Sequence, residues 1–169
     1  MTSKLLPSIA VALGLSVSGI AMGDTPHQGA NDEAGIRKVI DQFQQALKDK
    51  NKDHLLALFI DENAPVIASA SDKTMARVRQ KKADAAKILR KTSGKFANEI
   101  AEDTSSGEEQ FSHVKIDADS DVAAVSFDFT FLSDGKPMNV GKEAWVLVRS
   151  ESGWKITSIV YSMNFPESK

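Results

Sequence analysis

The spacing of apolar positions divides the chain into two halves. In the first, Ile36, Val39, Ile40, Phe43 and Leu47 recur at i, i+3, i+4, i+7 and i+11, one stripe of a helix expected from about Asp32 to Asp49. Asn31 is placed to cap it, and Asp32 and Glu33 fall in the first turn, where the helix dipole favours acids. After the break at "KDKNKD", Asn51 caps a second, short helix carrying Leu55, Leu56, Leu58 and Phe59. "DENAP" turns the chain into an extended piece, Val66 to Ala70. A third helix is expected from Asp72 or Lys73 to Lys91, with Met75, Val78, Ala85, Ala86 and Leu89 as its apolar side and "TSGK" as its end.

From Phe96 onward the period becomes two, and strands are expected near 96–104, 108–117, 121–132, 140–150 and 153–163. The clearest is "VAAVSFDFTF", where Val125, Phe127, Phe129 and Phe131 face one way and Ser126, Asp128 and Thr130 the other. "SDGKP" and "SESG" are short enough to close hairpins, so the last three strands should form an antiparallel meander. The segment from Trp154 to Met163 is apolar at both parities, which predicts a central strand buried on both faces. Helices first and sheet afterwards imply an α+β fold, with helices on one face of a curved antiparallel sheet.

Composition adds a compartment. Residues 1–23 read as a secretory signal peptide: Lys4 precedes an apolar run, Leu5 to Ile20, and small residues follow at cleavage spacing. The run is interrupted by Pro7, Gly14 and Gly19, and a spanning helix needs roughly 20 apolar residues, so cleavage is expected rather than membrane insertion. Residues 24–31 read as a polar linker, 32–165 as one domain and 166–169 as a tail. The chain has no cysteine, which excludes disulfides and a lipid anchor at the cleavage site and leaves a soluble periplasmic or secreted domain held by its core. Losing Lys4 with the leader moves the formal charge from −2 to −3, too little to imply a nucleic-acid partner. Residues 73–95 hold nine Lys or Arg against Asp84 alone, read as the solvated face of the third helix, with a docking surface for an anionic ligand, membrane head groups or an acidic partner as the alternative. No Cys or His set lies at ligand spacing, and neither a metal nor a cofactor is expected.

The element order, "LLALFIDENAPVI", the hairpin "DGK" and the closing "WVLVRSESGWKITSIVYS" resemble the nuclear transport factor 2-like superfamily, with its ketosteroid isomerases and SnoaL-like cyclases. The resemblance covers about residues 32–165. It implies a cone, in the manner of a cystatin-like roll: a bent sheet wrapped around the helices, with a pocket at the wide end and often a homodimer through the outer sheet face. In the enzymes of that superfamily, carboxylates, histidines and tyrosines project into the cone, where burial shifts their pKa values towards neutrality.

Three residues are candidates for such chemistry: His113, Asp128 and Tyr161. By strict alternation His113 shares a face with Phe111 and Lys115. Asp128 lies opposite the phenylalanines, and Tyr161 is the only tyrosine. The isomerases' donor tyrosine lies towards the N-terminal half, where this chain has none, which weighs against that reaction. Asn139, where some relatives carry a histidine, cannot shuttle a proton. The pocket lining is expected from Phe43, Leu47, Phe59, Phe127, Phe129, Trp145, Trp154 and Tyr161. Binding of a small apolar or amphipathic molecule is therefore favoured, with an acid–base enzyme and a homodimeric interaction module as alternatives. Convergence of two titratable side chains inside the pocket would separate them.

Overall fold

The computed structural model of the protein describes residues 26–166, and the expected leader lies outside them. Helix α1 (Pro26–Lys48) begins within the stretch read as a linker, on a proline whose fixed φ suits a first turn. Helix α2 (Lys52–Ala57) is capped by Asn51, whose side chain accepts from the His54 N–H at 3.0 Å. Strand β1 (Pro65–Ala70) follows. None of the described helices is long and apolar enough to cross a membrane.

The middle of the chain departs from the expected pattern. The third helix stops at Arg79, as α3 (Asp72–Arg79), and Ile88–Thr92 forms an edge strand, β2, antiparallel to β1. Leu89, expected on the helix's apolar side, lies in this strand because ladder bonds to β1, not local propensity, decide its conformation. The basic run is thus divided among α3, a loop, β2 and, for Lys95, the segment after it, rather than lining one helix; charged side chains suit an edge that must resist further pairing. "TSGK" starts an element instead of ending one. Thr92 Oγ1 accepts from the Lys95 N–H at 3.2 Å and caps α4 (Ser93–Glu102), where a strand was expected. Ala97 is buried, and Phe96 and Ile100 pack against the core beside it, an i, i+1, i+4 set that two-residue alternation had masked.

Four long strands complete the sheet: β3 (Gly107–Ala118), β4 (Val122–Ser133), β5 (Lys136–Ser150) and β6 (Gly153–Met163). The order is β2-β1-β6-β5-β4-β3, antiparallel throughout except for β1 with β6. β6 is central, as its composition suggests, but only one face is buried: Val160 on the other is 48% exposed. The inner face packs on α1, and Phe43 sits where they meet. Its ring lies 4.7 Å from that of Trp145 and within 6.5 Å of Phe59, Phe96 and Phe111. The far end is closed by Trp154, which packs against Gly35 and under the Arg149 guanidinium; Arg149 also pairs with buried Asp32.

Two irregularities interrupt the long strands. Between Ser112 and Lys115, β3 bulges, and His113 takes a φ of +54°. The extra residue turns His113 outward while Phe111, Val114 and Ile116 stay against the core, so the alternation that placed His113 with Phe111 fails there. The second lies where β5 meets the end of β6. Val140 N–H reaches the Asn164 carbonyl at 3.0 Å, and Lys142 N–H reaches Ser162 Oγ at 2.9 Å. Gly141 lies between them, and a Cβ there would sit 2.7 Å from the Ser162 carbonyl oxygen. Gly141→Ala should therefore cost about 1–3 kcal/mol through forced separation of the two strands. Urea unfolding reads this directly, and a variant as stable as the parent would show that the strands part freely.

Candidate functional site

The wide end of the cone holds a partly open cavity of about 260 Å³. Its walls come from α1 (Phe43, Leu47), β1 (Val66), α4 (Phe96, Ile100) and the inner sheet face (Phe129, Phe131, Ile159, Tyr161). Lys91, Glu99, Asp103 and Asn139 add polar groups. Lys91 Nζ pairs with Glu99 and lies 5.7 Å from the centre of the Phe96 ring.

Two carboxyl groups belong to this apolar wall: Glu109 of β3 and Glu143 of β5. They are 8% and 5% exposed. Glu143 alternates with Trp145 and Leu147 on the inner face of β5, and Trp145 Nε1 donates to Glu143 Oε1 at 2.5 Å. Gln44 Nε2 of α1 donates to the Glu109 backbone carbonyl at 2.7 Å, which fixes that strand against the helix. No described residue donates to the Glu109 carboxyl itself.

Burial disfavours the ionised form of both acids. The Glu143 carboxyl is pushed up to about 7 by desolvation, against the opposing hydrogen bond from Trp145. The Glu109 carboxyl is raised well above the usual range, first by desolvation and then by the charge of Glu143. Tyr161 is pushed up to about 12 by burial and by the charges of Glu143, Glu109 and Glu99, so its hydroxyl keeps its proton at any ordinary pH. Glu143 therefore titrates near 7, with Glu109 displaced in the same direction, beside a permanent hydroxyl donor.

Of the residues expected to line the pocket, Phe43, Leu47, Phe129 and Tyr161 do so. Phe59 and Phe127 belong to the packed core instead, and Trp145 stands in the wall behind Glu143. Trp154 packs at the opposite end of α1, where the Arg149 side chain covers it. His113 and Tyr161 do not converge. Tyr161 packs edge-on to Phe129 at 6.0 Å, whereas His113 is on the outer face, its Nδ1 2.9 Å from Asp128 Oδ2. Asp128 also binds Lys142 there, and these two partners hold its carboxyl below its usual range. Neither His113 nor Asp128 reaches the cavity. Glu109 and Glu143 escaped the sequence reading although a signal existed: each shares strand parity with an inward aromatic, Phe111 and Trp145. Among the described residues, no group of three or more His, Cys, Asp or Glu is arranged to hold a metal ion.

Comparison with known proteins agrees with this architecture. The model of the SnoaL-like domain matches residues 36–166. No curated protein matches the chain. Solved structures do. A proposed dehydratase of the NTF2-like family from Streptomyces avermitilis is 16% identical, with a TM-score of 0.60 over 82% of this chain and 99% of that one. A proposed scytalone dehydratase from Novosphingobium aromaticivorans is 12% identical, with a TM-score of 0.60 over 84% and 92%. An NTF2-like protein with a cystatin-like fold from the same organism is also 12% identical, with a TM-score of 0.59 over 82% and 86%. At such identities the likeness is one of fold alone. A curved six-stranded sheet wrapped on an N-terminal helix, a cavity at its wide end and a family model spanning most of the chain lead to one assignment: the protein belongs to the SnoaL-like domain family of the nuclear transport factor 2-like superfamily.

Proposed function

We propose that the chain binds a small molecule with an apolar body in the cone cavity and moves a proton to or from it through Glu143 and Glu109. One observation carries this reading: two almost fully buried carboxyl groups face a cavity otherwise walled by rings and aliphatic chains. Burying a carboxylate without a cation is costly, and a purely structural role would be served better by apolar side chains. Glu143, oriented by Trp145, is the proton acceptor, since a base titrating near 7 works best at neutral pH. The Tyr161 hydroxyl donates to a substrate oxygen on which negative charge develops. Glu109 places a second buried carboxyl on the same wall.

Binding without turnover is the competing reading, and the apolar lining supports it equally. The two separate in D2O with a panel of aryl alkyl ketones bearing enolisable C–H bonds, followed by NMR. Deuterium should enter at least one ketone faster than in buffer, and Glu143→Gln should slow this by about 10²–10⁴-fold. Ketones that bind, as seen by ligand line broadening, yet exchange only at the buffer rate would leave the binding domain and remove the catalyst.

A further inference from the structure

We propose that the molecule held in the cavity is a small organic cation, an aryl- or alkylammonium whose N–H groups donate to the Glu109 carboxyl. The proposal rests on the cavity being the binding site, as argued above, and adds the charge of its occupant.

The first observation is an unmet acceptor. Glu109 is 8% exposed, its backbone is pinned by Gln44, and its carboxyl receives no hydrogen bond from any described residue. An acceptor on the wall of an apolar cavity favours an occupant that brings a donor.

The second is the charge of the lining. Glu99, Asp103, Glu109 and Glu143 are acids, and Lys91 is the single base among the lining residues. That base is already engaged by Glu99. No lining cation remains to receive a carboxylate or phosphate, so an anionic molecule would meet only repulsion. An ammonium meets four acids against one base that is already paired.

The third is the rings. Phe96, Phe129, Phe131 and Tyr161 line the cavity, and a cation over the face of such a ring is attracted by its quadrupole. At the rim the protein already displays this chemistry with its own side chain: the Lys91 ammonium sits between the Phe96 ring and an acid. The proposed occupant repeats the arrangement one layer deeper, between rings and Glu109.

A cation there favours the ionised forms of Glu109 and Glu143, so it binds with release of protons, and more tightly as the pair loses its own. The other charged or titratable groups facing the pair are Tyr161 on β6, Lys91 on β2, Glu99 on α4 and Asp103 at its end. None of these is a free cation that would cancel the effect.

Isothermal titration calorimetry of the chain with three probes that share a phenethyl body tests this: 2-phenylethylamine, 2-phenylethanol and 3-phenylpropanoate, at pH 6 and 8. The amine should bind about tenfold or more tighter than the alcohol, and the carboxylate not at all. Amine affinity should rise with pH, with protons released in buffers of differing ionisation heat, while alcohol affinity stays level. Glu109→Gln should lose about tenfold for the amine and nothing for the alcohol, with an unchanged near-ultraviolet dichroism spectrum confirming the fold. If the alcohol binds as tightly as the amine, or Glu109→Gln keeps its amine affinity, the cation proposal falls and the cavity reading stands. If none of the three binds, both fall.

Discussion

Stability of the protein is expected to decline as the pH rises from 4.5 towards 7, and Glu143→Gln is expected to flatten that decline. An unfolded glutamate titrates near 4.5, and the folded Glu143 carboxyl near 7. Below pH 4.5 both states carry the proton, and the full stability is present. Between the two values the unfolded chain releases it while the folded chain retains it, so the folded state loses ground until about pH 7 and levels off above. For this buried group the loss amounts to about 3 kcal/mol, and Glu109 acts in the same direction. Asp72 and Asp128 on the surface, both held below the usual range by lysine partners, work the other way, but only under more acid conditions. Urea midpoints measured from pH 4.5 to 8 give the curve. A parent protein whose midpoint rises steadily through this window would contradict the buried, uncompensated state of the pair.

Phe43→Ala is expected to cost about 3–5 kcal/mol, the largest loss of any single core truncation near the cavity. Phe43 is fully enclosed, and four aromatic rings surround it. Removing it takes away both its own burial and the surface on which Phe96, Phe111 and Trp145 rest. The hole would join the existing cavity, because Phe43 is also part of its wall. Phe96→Ala serves as the comparison: its ring stacks on Phe43 at 6.1 Å but is only partly buried, so it should cost clearly less. Equal losses, or a Phe43→Ala loss under about 1.5 kcal/mol, would show that the core collapses readily into the space.

The parts of the fold legible in the sequence are those where one periodicity acts alone. The stripe Ile36 to Leu47 could only be a helix, and "VAAVSFDFTF" only a strand with its phenylalanines inside. Between Lys73 and Glu102 that condition fails. Ile88–Thr92 is a strand only because β1 offers it a ladder, a partner remote in the chain, and Phe96–Ile100 suits either period. The site was misread for a related reason. His113 was a candidate by residue type and strict alternation, but one bulge residue put it outside. Glu109 and Glu143 have ordinary chemistry until burial changes it, and burial follows from the sheet, not from residue type. Parity with Phe111 and Trp145 was the accessible clue.

The position of β6 has a consequence for how the molecule comes together. It is the last of the six strands in sequence, yet it stands third in the sheet, bonded to β1 on one side and β5 on the other. Without it, the β1–β2 pair and the β3–β5 meander share no ladder, and the acid-lined cavity between them has no floor. A chain emerging N-terminus first must therefore keep two half-sheets apart, with their aromatic faces open, until residues 153–163 arrive to join them. Assembly of the site waits on the strand that joins the two halves of the sheet.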